Sequence, residues 1–188
     1  KILTPALAVE TVAAGGGSVC SFDGYTLRVG PESAGASPGP ACYGAGGPLT
    51  ITDVNLLLGR LDPSAFGIPV FPDHAREKLE MLLDEMAEAT GSRPEPEHVL
   101  NDLLRIVNEI MAGAIRKISV AQGYDPADYA LVAFGGAGGM HMLDIADELN
   151  VKRLIIDSIT ALCYRLQTPE MIRDFIFKLG SSLAAMKC

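Results

Sequence analysis

The sequence predicts an α/β protein, and three observations carry that prediction. Ala130-Leu131-Val132-Ala133-Phe134 is a short apolar run of the kind found in a buried parallel strand. It passes directly into Gly135-Gly136-Ala137-Gly138-Gly139, then a helical stretch from Met140 to Leu149 and a second short strand from Arg153 to Ile156. Strand, glycine turn, helix and strand make a βαβ unit. Residues 71–122 hold ten acidic and six basic residues and read as two helices. Residues 15–47 hold ten of the 20 glycines and only three charges (Asp23, Arg28 and Glu32), so a glycine-rich segment of strands and loops precedes the helices.

Size and charge bound the rest. A chain of 188 residues suffices for one ordinary domain or two small ones and needs no disulfide or zinc scaffold. Apolar residues at 48% and charged residues at 20% fit a globular protein. Lys plus Arg number 15 against 23 Asp plus Glu, a net charge of −8, which argues against a nucleic-acid or anionic-membrane surface. No run approaches the roughly 18 apolar residues of a membrane span. The first residues carry no signal-peptide pattern, and Lys1 stands where Met is expected, so the native start is expected upstream. Cys20, Cys42, Cys163 and Cys188 form no CxxC pair and lie far in sequence from His74, His98 and His141, so a cytoplasmic chain with reduced thiols is expected.

In order along the chain, Ala8–Ala14 reads as a strand entering Gly15-Gly16-Gly17-Ser18. Val19–Phe22 and Tyr25–Val29 read as a hairpin across Asp23-Gly24. From Gly30 to Pro48 four prolines and six glycines break any periodicity. Thr52-Asp53 caps a short helix through Leu58 that ends at Gly59. Asp73 precedes a helix with Leu79, Leu82, Leu83 and Met86 on one face, ending near Gly91. Pro94 and Pro96 open the longest helix, with a core face from Leu100 through Leu103, Leu104, Val107 and Ile110 to Ile118, and Gly123 ends it.

Four places could carry chemistry. Glycines at a strand-to-helix turn allow positive φ as the strand leaves the sheet, and their bare backbone lets a phosphate or nucleotide ring lie on it. Four glycines in five residues exceed what a tight turn needs, so Gly135, Gly136, Gly138 and Gly139 are candidate nucleotide contacts. The spacing is not that of a dinucleotide fold. His141, just past this loop, either touches a bound phosphate or caps the turn. Glu32 is the only charge in the loop from Gly30 to Gly44, and is either an acid/base or ligand group or the partner of Arg28 or Arg60. Asp53 is either an N-cap or a substrate or metal contact. Cys42 lacks a base in sequence and reads as a small buried residue.

Val12-Ala13-Ala14-Gly15-Gly16-Gly17-Ser18, the stretch from Val29 to Gly44, Thr52-Asp53-Val54-Asn55-Leu56-Leu57-Leu58-Gly59-Arg60-Leu61, and Phe134 to His141 together resemble the hydantoinase A/5-oxoprolinase family. The four motifs occur in the family's order, over about Val9 to Val151. The resemblance implies a partial actin-like (ribonuclease H-like) ATPase domain. It implies ATP and Mg²⁺ as cofactors, with metal ligands unknown, and a small cyclic amide substrate whose carbonyl is activated by phosphorylation before hydrolytic ring opening. It also implies a hydantoinase B-type subunit or domain as partner. Glu32 and Asp53 become the candidate catalytic residues, and Gly135, Gly136, Gly138, Gly139 and His141 the candidate nucleotide contacts. An ATP-dependent acetone or acetophenone carboxylase subunit and a non-catalytic nucleotide-binding or assembly module are the alternatives.

Two departures accompany the match. The family's two Asp-x-Gly-Gly-Thr phosphate loops do not occur in this chain, so the chain alone is expected to be inactive. Beyond Ile156 the family's Gly-x-x-Ser-Ala-x-Gly type helix is replaced by Asp157-Ser158-Ile159-Thr160-Ala161-Leu162, and Thr168-Pro169 starts an unrelated helix. Residues 1–156 are thus expected to be a C-terminal segment of the family's ATPase domain, and 157–188 a divergent helical tail.

Overall fold

A computed structural model describes residues 9–134 and 137–157. The chain divides into two compact units, Lys1–Ile118 and Ser119–Cys188. The division falls inside the longest helix, where no shift in composition marks it. The tail expected from residue 157 lies, past Asp157, outside the described residues.

The first unit opens without the expected first strand. Among the described residues Val9–Ala14 runs alongside no partner strand and is mostly exposed, so its β-forming residues have no ladder there to join. β1 (Ser18–Phe22) and β2 (Leu27–Ser33) form the antiparallel hairpin, with Phe22 opposite Leu27 and Cys20 opposite Val29. The Asp23 carboxylate closes the turn by accepting the N–H groups of Tyr25 (3.0 Å) and Thr26 (2.8 Å). These bonds and the paired Arg28 guanidinium hold the Asp23 carboxyl well below the usual carboxylate range. After an irregularity between Ser18 and Cys20 the pairing resumes at Ser33, so β2 runs four residues past Val29. Glu32 therefore sits on a strand, not in a loop.

Three helices complete this unit: α1 (Ile51–Leu57), α2 (Pro72–Thr90) and α3 (Pro96–Ala121). α2 has proline in its first turn and ends at Gly91, whose φ of +75° is the left-handed conformation glycine adopts freely. Leu79, Leu82 and Leu83 of α2 meet Leu100, Leu103, Leu104 and Val107 of α3 in one core, which Cys20, Val29, Ile51 and Val54 join from the hairpin and α1. The core face of α3 is shorter than its apolar pattern. Beyond Ala112 none of its residues is buried, and Ile115 and Ile118 are only half-covered.

The second unit holds β3 (Ala130–Phe134), α4 (Met142–Glu148) and β4 (Arg153–Asp157), with β3 and β4 parallel and in register from Ala130–Arg153 to Phe134–Asp157. The βαβ unit is as expected, with α4 burying Met142, Ile145 and Ala146. β3 is not the fully buried strand its composition predicts. It alternates, with Leu131 and Ala133 half-buried and Val132 and Phe134 exposed, since among the described residues its sheet has two strands. No helix among the described residues is long and apolar enough to cross a membrane.

Leu103 is fully buried at the centre of the core. Leu103→Ala is expected to cost about 2–5 kcal/mol in urea unfolding, whereas Val120→Ala on the exposed end of α3 should cost about 0.5 kcal/mol or less.

Candidate functional site

Thr50 and Asp53 show how the first unit is tied together. Thr50 is the N-cap of α1 and Asp53 its third residue, so the two form a capping box, and the cap itself is Thr50 rather than the sequence-expected Asp53. The Asp53 carboxylate is 0% exposed. Its Oδ2 accepts the Thr50 N–H (2.8 Å), the Thr50 hydroxyl (2.8 Å) and the Ala41 N–H (3.1 Å). Its Oδ1 accepts the Cys42 N–H at 2.8 Å. A carboxylate offers about four acceptor positions, and four donors reach this one, three at Oδ2 and one at Oδ1. One side chain thus satisfies donors from the helix cap and from the turn at Ala41–Tyr43, twelve residues earlier in the chain. Thr50 was not singled out from sequence, although its position three residues before an acidic side chain is the capping-box spacing.

Two further contacts fix the same region. The Thr52 N–H (2.8 Å) and hydroxyl (3.0 Å) both donate to the Gly16 carbonyl, joining the Gly15–Gly17 turn to α1. A Cβ at Gly16 would lie 2.8 Å from the Thr52 hydroxyl oxygen, so this glycine is required by close approach. Burial, with the neighbouring Asp53 carboxylate, pushes the Cys42 thiol from an ordinary 9.0 up to about 12. It stays protonated and un-nucleophilic, as the lack of a base in sequence suggested.

The loop that follows β2 is partly buried. Ala34, Gly39, Pro40, Ala41 and Cys42 are covered, and Gly35–Pro38 form an exposed tip. Glu32 is exposed on β2. Arg28, one of its two expected partners, is paired with Asp23 instead. The two candidate carboxylates thus differ in kind: Glu32 is open to solvent and Asp53 is enclosed and holds four donors.

The remaining candidates lie in the second unit. Gly135 and Gly136 fall outside the described residues. Gly138 and Gly139 lie in a single 3₁₀ turn, Ala137–Met140, between the end of β3 and α4, and both are exposed. Neither has the positive φ that glycine was expected to supply. A Cβ built on either meets nothing within 4 Å. Gly47 is the opposite case, since a Cβ there would lie 1.9 Å from the Gly39 carbonyl oxygen. His141 is 1% exposed, beneath the turn: its N–H donates to the Gly138 carbonyl (3.2 Å) and its carbonyl accepts the Ile145 N–H (2.9 Å). Among the described residues no three of His, Cys, Asp and Glu gather as a metal site.

The sequence profile described as Hydantoinase/oxoprolinase matches residues 1–164. The chain belongs to the hydantoinase/oxoprolinase family. The match runs past Ile156, where the divergent tail was expected to begin, by eight residues. A 5-oxoprolinase of Pestalotiopsis fici is 44% identical over 169 residues, which cover 86% of this chain and 13% of that protein. The 5-oxoprolinase of Saccharomyces cerevisiae is 42% identical, covering 82% of this chain and 13% of that protein. The crystal structure of ATP-dependent caprolactamase from Pseudomonas jessenii superposes with a TM-score of 0.69 at 41% identity, covering 79% of this chain and 22% of that one. A nucleotide-free acetone carboxylase structure shares the fold at 23% identity, with a TM-score of 0.63 over 75% of this chain and 20% of its own. The chain therefore spans between about an eighth and a quarter of the relatives it matches.

Asp53→Asn removes acceptor capacity from buried donors and is expected to destabilise the first unit by about 2–4 kcal/mol in chemical denaturation. The Cys42 thiol gives a second expectation. The unfolded chain loses this proton near pH 9 while the folded chain keeps it to about 12, so stability should fall as pH rises through that interval. Cys42→Ala should make that fall shallower; an unchanged alkaline profile would contradict the assignment.

Proposed function

We propose that this chain is a segment of an ATP-dependent cyclic-amide hydrolase with an actin-like ATPase fold, and that its Gly135–Gly139 turn contacts the nucleotide. The observation that carries the reading is the open space over Gly138 and Gly139. Most other described glycines serve positive φ or a close approach, but at Gly138 and Gly139, as at Gly15, Gly67 and Gly113, neither requirement operates. A bare backbone at the carboxyl end of a parallel strand is where ligands of α/β sheets lie, and a side chain would fill the space a nucleotide needs. The names of the relatives, 5-oxoprolinase and ATP-dependent caprolactamase, supply the reaction class.

An amide carbonyl is a poor electrophile, and ATP supplies the phosphoryl group that makes its oxygen a leaving group for attack by water. Mg²⁺ would accompany the nucleotide. This chain's own residues bind and position: the glycine turn contacts the nucleotide, and the buried His141 supports it from beneath. Of the two carboxylates, Glu32 is the one open to a substrate, and Asp53 holds the Ala41–Tyr43 turn. The family's phosphate loops are absent from this sequence, so the segment alone is expected not to turn over ATP. The caprolactamase relative is named as a subunit alpha, which supports a hydantoinase B-type partner. A reduced, cytoplasmic setting suits the buried thiols of Cys20 and Cys42.

Calorimetric titration of ATP into the intact polypeptide tests the reading. Gly138→Val should weaken binding by at least about tenfold, roughly 1.4 kcal/mol, with thermal stability preserved because a Cβ at this position meets nothing within 4 Å. Unchanged affinity would withdraw the nucleotide assignment.

A further inference from the structure

We propose that the free edge of β2 takes up a short extended segment from the part of the longer polypeptide that lies outside these 188 residues, adding a third strand to the hairpin. The inference rests on the reading of this chain as a segment of such a polypeptide. The pairing pattern shows which backbone groups are free. Along an antiparallel pair, residues that exchange hydrogen bonds alternate with residues whose N–H and C=O groups point away from each other. The Cys20 N–H donates to the Leu49 carbonyl (2.8 Å), away from β2, so Cys20 and its partner Val29 are a pair of the second kind. Phe22 and Leu27, two residues along, are another, whereas Ser21 and Arg28 face each other. Leu27 and Val29 therefore turn their N–H and C=O groups outward, and among the described residues no hydrogen bond meets them. Val29 is only 6% exposed, so these are enclosed backbone groups without partners, a state that folded proteins avoid.

The space beside this edge suits a strand. A groove of about 440 Å³ adjoins it, lined by Leu27, Val29, Val12, Ala13, Ile106 and Ile110 among others. The segment that carries Val12 and Ala13 is held in place: Glu10 pairs with Lys117 of α3, and a Cβ at Gly30 would lie 2.9 Å from the Ala13 carbonyl oxygen. That close approach covers the edge at Gly30, and Pro31 has no N–H to offer beyond it, so the open stretch is Leu27–Val29. Chemistry then selects the occupant. N–H and C=O groups repeated every second residue match an extended backbone, and the apolar lining suits its side chains. Length selects the source. The chain covers 13% of two 5-oxoprolinases and 22% of the caprolactamase chain, so a polypeptide of that kind has most of its residues outside this segment.

Amide hydrogen exchange on the intact polypeptide, read at single residues by mass spectrometry, tests this. The Leu27 and Val29 amides should exchange at least about a hundredfold more slowly than in an unstructured chain. The Arg28 amide, which faces β1, is the internal control. Fast exchange at Leu27 and Val29 beside a slow Arg28 overturns the proposal. So does protection that is lost on dilution, which would mark a second copy as the occupant. An aliphatic diazirine residue placed at position 27 and activated by light then identifies what lies on the edge. Adducts are expected in peptides of the same polypeptide outside this chain; adducts confined to this chain, or found in another subunit, overturn the proposal. Failure of the underlying reading looks different: the natural product would have the mass of this chain alone.

Discussion

The Asp53 carboxylate is the interaction on which the first unit depends. Buried charge is costly unless it is well hydrogen-bonded. Here backbone N–H groups from Ala41, Cys42 and Thr50, with the Thr50 hydroxyl, all donate to it. The result fixes a chain segment that has little else to hold it. The stretch from Ala34 to Gly44 is made of small residues, glycine and proline, with few side chains able to anchor a core. Its order comes from polar contacts: Ala34 N–H to the Gly17 carbonyl at 2.9 Å, Ala41 N–H to the Pro48 carbonyl at 3.0 Å, and the bonds to Asp53. The apolar core of α2 and α3 then supplies a rigid base, with α1 as the link between the two.

Glycine serves different ends along the chain. At some positions it lets backbone meet backbone or side chain, as where Gly47 abuts the Gly39 carbonyl and Gly16 abuts Thr52. At others, Gly138 and Gly139 among them, a side chain would meet nothing at its first carbon. The proposed nucleotide contact at Gly138 and Gly139 rests on that open backbone at the end of β3.

Much of the fold was legible in the sequence because its signals are local. Asp23-Gly24 marked the hairpin, Leu79–Leu83 and Leu100–Val107 marked two helices by their period, and Gly91 marked a helix end. The failures are non-local. Val9–Ala14 has strand-forming residues but no neighbour to pair with. β2 continues through Gly30 and Pro31, two residues that read as a strand's end. The apolar face of α3 extends to Ile118, yet burial stops near Ala112, since pattern shows which side faces inward but not how far the partner reaches. At the site, the existence of the glycine turn was readable and the reason for its glycines was not: positive φ is the usual cause and is not the cause at Gly138 or Gly139. The role of Asp53 was legible only in part, because its contacts to Ala41 and Cys42 cross twelve and eleven residues of chain.

Amide hydrogen exchange on the intact polypeptide, with and without saturating ATP, tests the central claim most directly. If the nucleotide lies on the exposed turn, the amides from Gly138 to His141 slow markedly on ATP addition while those in the core of α2 do not. Measurable ATP binding with no change in exchange across this turn would contradict the account.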